Sequence, residues 1–185
     1  MGFFDDEAGG GSSRFVKFDA RNGNYSTRDS DKPLNDQEFV VDAGNARGGF
    51  IRWTDGRPER HLAPIFPRDE APQRSTLPDA NPAQWRPGKF SNGQPEDPFK
   101  ATVELPLRHR ETGETFTLTV SNKAAMAAVR DLLGECRKLP DGTLPIVRLG
   151  TTSVQTKFGV FKKPNLSVIA TTGADAADFN DDMPF

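Results

Sequence analysis

The chain offers few side chains for covalent or metal chemistry, and their spacing argues against both. His61 and His109 are its only histidines and Cys136 its only cysteine, so no nucleophile stands near a base in sequence and no zinc-ligand spacing occurs. Cys136 falls on the apolar side of a predicted helix, and His109, between Arg108 and Arg110 in a polar turn, is expected to be solvated. The glycines at 44–49 lack both the spacing and the following helix of a dinucleotide fingerprint, and no glycine-rich loop ends in Lys-Ser or Lys-Thr. No enzymatic activity, cofactor or resident metal is therefore expected.

Binding a nucleic-acid strand asks for simpler parts: cations that neutralise phosphates and aromatic faces on which bases stack. The stretch Lys157-Phe158-Gly159-Val160-Phe161-Lys162-Lys163 supplies three cations and two rings in seven residues. It reads as a loop at the rim of a groove, with Lys157, Phe158, Phe161, Lys162 and Lys163 as ligand contacts. In the alternative, the two rings close the core and the lysines merely face water. Arg47, Arg52, Trp53, Lys100 and Arg148, on predicted strands, are secondary contacts, and Trp53 could equally be core.

The last eight residues, Asp178-Phe179-Asn180-Asp181-Asp182-Met183-Pro184-Phe185, are acidic, have no basic neighbour and end on an aromatic. Such an end has too little apolar surface to fold by itself, and its Phe side chains would find a pocket on a partner. It resembles the acidic tip of the bacterial single-stranded DNA-binding protein family, which closes with a run of Asp before Ile-Pro-Phe. Here Met183 stands in place of the Ile, and Asn180 interrupts the acids. The resemblance implies that Asp178, Phe179, Asp181, Asp182, Met183, Pro184 and Phe185 recruit replication, recombination or repair proteins, with Phe185 as the anchor. It covers the tail alone. The short linker after Gly173 implies a divergent protein of phage or mobile-element type, acting in the cytoplasm of a bacterial host cell. A flexible segment of about a dozen residues spans roughly 20 Å, so the acids could also compete with DNA phosphates for the body's own groove.

Acids at both ends mask a basic body. Of the 26 acidic residues, four lie in 174–185 and three in 1–13, which leaves 19 against all 24 basic residues and a body near +5 where the whole chain carries −2. A hydrophobic content of 35% with 17 Gly and 15 Pro favours one small β-rich domain with long loops over a helical bundle. One cysteine allows no internal disulfide, and no apolar run is long enough for a signal peptide or membrane helix; a cytoplasmic, non-membrane protein is expected. Oligomeric state is left open, a homo-oligomer included.

The elements that must position these groups follow from pattern. Residues 1–13 read as a flexible arm, and Phe15–Phe18 with Tyr25–Thr27 as an N-terminal β-hairpin about Asn22-Gly23. Residues 37–42 and 49–54 read as strands that pair with each other across the glycines between them, and 61–66 as a further short strand. Seven prolines in 67–98 and no period mark a long surface insertion, with Trp85 and Phe90 pinning it to the body. Alternation then gives half-buried strands at 101–107 and 114–120, joined as a hairpin. Ser121 is expected to cap a helix whose Met126, Val129, Leu132, Leu133 and Cys136 form one apolar stripe. Strands at 146–155 and 166–171 flank the basic aromatic loop.

This order resembles the OB-fold, a mainly β, five-stranded barrel with its helix between the third and fourth strands. It implies an arm at 1–13, a nucleic-acid-binding domain at 14–173 with 67–98 inserted, and a partner-binding tail at 174–185. The expected function is binding of single-stranded DNA with little sequence preference. A protein- or RNA-binding accessory module and a recombination-associated enzyme are the rival readings.

Overall fold

The computed structural model describes residues 14–89 and 91–172. The arm, the tail and Phe90, with the roles expected of them, lie outside the described residues. The described chain forms β1 (Arg14–Phe18), β2 (Tyr25–Thr27), β3 (Glu38–Val41), β4 (Arg47–Thr54), β5 (Arg57–Pro64), β6 (Lys100–His109), β7 (Thr115–Val120), α1 (Lys123–Cys136), β8 (Leu144–Thr156) and β9 (Gly159–Thr172). All the strands join one sheet in the order β2-β1-β7-β6-β3-β8-β9, with β4 on β6 and β5 on β4. The mainly β character and the single helix between β7 and β8 agree with the sequence pattern.

Strand β6 organises the sheet. One of its edges carries β7; the other carries β4 along Lys100–Glu104 and β3 along Leu107–His109. Residues 37–42 and 49–54 therefore do not pair with each other, which corrects the expected pairing. A 3-10 turn at Ala43–Asn45 carries the chain onward instead of reversing it, so β3 and β4 run end to end along β6. The reversal comes later, at Asp55-Gly56, where φ angles of 50° and 77° make the two-residue turn that matches strand twist. Gly49 lets β4 and β5 approach closely: a Cβ there would stand 2.0 Å from the carbonyl oxygen of His61.

Every second residue of the strands points inward. Val16, Phe39, Val41, Val103, Leu105, Leu107, Phe116, Leu118, Val147 and Leu149 are buried, and α1 covers them with Ala125, Val129, Leu132, Leu133 and Cys136. Each large side chain buried in this way contributes about 1.5–3 kcal/mol before conformational entropy is counted. The helix is capped by Asn122, not Ser121: the Asn122 side chain accepts the Ala125 N–H at 2.7 Å, while the Ser121 hydroxyl lies 3.3 Å from that of Thr102. The sheet curls until its ends touch, giving a half-barrel. Lys162 N–H donates to the Ala20 carbonyl at 2.7 Å and the Tyr25 hydroxyl to that of Gly150 at 2.7 Å. Among the described residues no helix is long and apolar enough to cross a membrane.

Candidate nucleic-acid interface

Two long hairpins carry the residues singled out in the sequence. The first is β8–β9, paired over thirteen positions. The expected loop at 157–163 is largely strand: only Lys157-Phe158 turns the chain, Thr156 pairs with Gly159, and 159–164 continue the ladder. Thr151, Thr152, Val154 and Thr156 are β-branched and favour an extended chain, and Gly159, at φ 117°, lets the reversal be tight. Pairing then divides the five predicted contacts. Phe161, opposite Val154, and Lys163, opposite Thr152, share the outer face with Arg148 further along β8. Lys162 lies on the other face, where its Nζ donates to Ser153 Oγ at 2.6 Å. Lys157 and Phe158 form the tip. Phe158 is 89% exposed, and Lys157 Nζ stands 4.9 Å from its ring centroid.

From Leu144 to Thr172 the hairpin holds four cations and no carboxylate. At its base Glu38 accepts from Arg148 at 3.0 Å and from Arg110 at 2.5 Å. The bonds from Arg148 and then Arg110 hold the Glu38 carboxyl below its ordinary range.

The second hairpin, β4–β5, turns Arg52 and Glu59 inward and leaves Arg47, Arg57 and Arg60 exposed. Arg52 donates to Glu59 at 2.9 Å and to Asp79 of the insertion at 2.5 Å, and its guanidinium lies 4.7 Å from the Phe99 ring centroid. Arg74 sits 4.9 Å from the same ring, bonds Asp97 at 2.8 Å, and donates to the Pro78 and Asp79 carbonyls. Trp85 donates from Nε1 to the Asp79 carbonyl at 2.8 Å, a bond within the insertion, and it is Asp79, accepting from Arg52, that ties the insertion to β4. His61 and then Arg52 bring the Glu59 carboxyl below its ordinary range. Burial alone would raise Asp97, but the bonds from Arg74 and the Phe99 N–H bring it lower. Trp53 is 56% exposed and therefore not core, Lys100 is paired with Glu96, and Arg47 lies exposed at the start of β4.

His109 is not the solvated side chain expected. Its Nε2 bonds Gln37 at 2.9 Å, its Nδ1 accepts the N–H groups of Thr112 and Glu111 at 3.1 and 3.3 Å, and its ring stands edge-on to Phe39. It ties the β6–β7 turn to β3 because two of its polar neighbours are backbone groups of that turn. Cys136 is buried, and burial pushes its thiol up to about 11. Among the described residues no group of His, Cys, Asp and Glu could hold a metal ion.

Phe15, Lys17 and Arg60 are not among the residues that type and spacing single out. On β1, Phe15 and Lys17 flank the buried Val16 and so share the outer face, and the Arg60 guanidinium lies 5.8 Å from the Phe15 ring centroid. Alternation about Val16 was the available signal for the first two; nothing local marks Arg60. Comparison of the chain with protein-family models, curated protein sequences and solved structures gave no match, so the interface is read from its own geometry.

Proposed function

We propose that this protein binds single-stranded DNA with little sequence preference, holding it against the β8–β9 hairpin and protecting it during replication or recombination. One observation carries the reading. A hairpin with four cations and no carboxylate presents at its tip a ring 89% open to solvent, with Phe161, Lys163 and Arg148 along one face. Burying none of that ring is unfavourable for folding, whereas a base stacked on it gains about 1–3 kcal/mol.

We read the half-barrel as OB-like, with β3 and β4 as a bent first strand, then β6, β7, α1, β8 and β9. The pairing of β3 with both β6 and β8 supports this order, and β4–β5 and β8–β9 are then elongated forms of the two connections that border the ligand groove. One difference is that β1 lies parallel on β7. The tail, Asp178 to Phe185, recruits partner proteins in this reading, on the strength of its sequence resemblance, within the cytoplasm of a bacterial host.

Titration of fluorescently labelled oligo-dT, duplex DNA and RNA with the protein, followed by anisotropy, tests the proposal. The expected result is a preference for the single strand, with log K falling against log salt by about 0.7 per phosphate neutralised. A preference for duplex, or affinity independent of salt, overturns it; tighter binding to RNA favours the RNA-module reading.

A further inference from the structure

The face of the β8–β9 ribbon turned away from Phe161 and Lys163 meets the N-terminal hairpin. Along it, register sets Gln155 opposite Val160, Ser153 opposite Lys162 and Thr151 opposite Pro164. The β1–β2 turn, residues 19–24, closes against this face, where the Lys162 N–H donates to the Ala20 carbonyl at 2.7 Å. Gly23 comes so near that a Cβ there would stand 3.0 Å from Thr151 Cγ2 and 3.2 Å from Lys162 Cγ. The turn is itself held in place, since Asn35 donates to the Gly23 carbonyl at 2.8 Å and the Tyr25 hydroxyl to that of Gly150 at 2.7 Å.

Two cations come together at this junction. The Lys162 stem packs on Gly23 and its Nζ bonds Ser153 Oγ, a neutral partner that leaves the ammonium charge and two of its donors available. Arg21, next in the chain to Ala20, is exposed, and its guanidinium has no partner among the described residues. Asp19, the acid of the turn, accepts the Arg21 backbone N–H at 2.8 Å and so shapes the turn. Val160, 59% exposed, continues the face toward the tip at Phe158.

We infer that this junction holds a phosphate of the bound strand between Arg21 and Lys162, on the side of the ribbon opposite to Phe161. The inference rests on the proposed single-strand binding and extends it: the strand passes over the tip and is gripped on both faces of the ribbon. A cation fixed by its own stem and a hydroxyl loses little rotamer freedom on meeting a phosphate, whereas one paired with a carboxylate must give up that bond. This separates the junction from Arg52, Arg60 and Arg148, each of which is bonded to a carboxylate. A path that bends about a two-stranded ribbon also suits a flexible single strand and not a stiff duplex.

The experiment is titration of labelled oligo-dT with the full-length protein over a range of salt, comparing wild type with the double variant Arg21→Gln, Lys162→Gln. Gln keeps a stem against Gly23, and melting temperature checks that the fold is intact. Arg21→Gln alone, with no partner to lose, gives the same reading should Lys162→Gln lower the melting temperature. A control double variant, Arg57→Gln with Lys123→Gln, removes the same charge from exposed positions on β5 and α1. The expected result is a salt slope lower by about 0.7 in the first variant and unchanged in the control. Equal slopes in the two variants overturn this contact, and the proposed function stands if Phe158→Ala still weakens binding. If the wild-type protein binds no single strand, both fall together.

Discussion

Hairpins β4–β5 and β8–β9 are built alike and used differently. Each projects a two-stranded ribbon with a two-residue turn and an exposed aromatic near its end. In β4–β5 the central cation, Arg52, meets two carboxylates and a ring, and the proline-rich insertion lies against it through Arg74, Asp97 and Phe99. In β8–β9 the cations outnumber the acids along the strands, and the Phe158 ring, 89% exposed, has the lysine beside it as its neighbour among the described residues. A cation already neutralised by protein has little left to give a phosphate, since displacing its carboxylate offsets most of the Coulomb gain. The contrast separates a hairpin that holds the fold together from one that is free to hold a ligand.

Removing both rings of the second hairpin should have the largest effect. Phe158→Ala with Phe161→Ala is expected to weaken binding of oligo-dT by about 1–3 kcal/mol per stacked base, with little change in melting temperature. Loss of folding, seen by circular dichroism, would break the distinction by making these rings structural. The complementary change is Arg74→Ala, which strips a charge-assisted bond from Asp97 and should cost about 1.5–3 kcal/mol of stability in denaturant titration, with DNA affinity preserved. In that variant Cys136, buried and with its thiol raised to about 11, should remain as slow to alkylate at pH 8 as in the wild type, because the loss is local to the insertion.

Acid should loosen the first hairpin from the insertion, as it should the Glu38 contact at the base of the second. Glu59 and Asp97 both titrate below their unfolded values, so the stability they contribute is complete above about pH 5 and is lost as pH falls through about 4 and below. Trp53 and Trp85, the only tryptophans, both lie in this region, so a fluorescence change at a pH where far-ultraviolet circular dichroism is still native is the expected signature. A single cooperative transition by both probes would contradict it. The smallest effects compare lysines. Lys163→Ala should lower the salt slope by about 0.7, whereas Lys100→Ala, whose ammonium is already paired with Glu96, should leave the slope nearly unchanged.

The sequence by itself determined the helix, most of the strands and where charge is uncompensated along the chain, but not that 159–163 is strand or that the strand expected at 61–66 is Arg57–Pro64. Alternation in 101–107 and 114–120 was enough to define β6 and β7, and the stripe from Met126 to Cys136 was enough for α1, because the face a residue occupies depends only on neighbours a few positions away. The absence of any acid between Asp141 and Asp175 was equally plain. Asp55-Gly56 carried a hairpin signal too, but the glycines at 44–49 drew the turn to the wrong place. Tertiary structure decided the rest: that β3 and β4 share an edge of β6, that the basic aromatic stretch is ribbon and divides its lysines between two faces, and that Arg52 is spent on Asp79 while Arg60 arrives over Phe15. Strand pairing and charge compensation depend on partners distant along the chain, and no local pattern of residue types encodes which of them will meet.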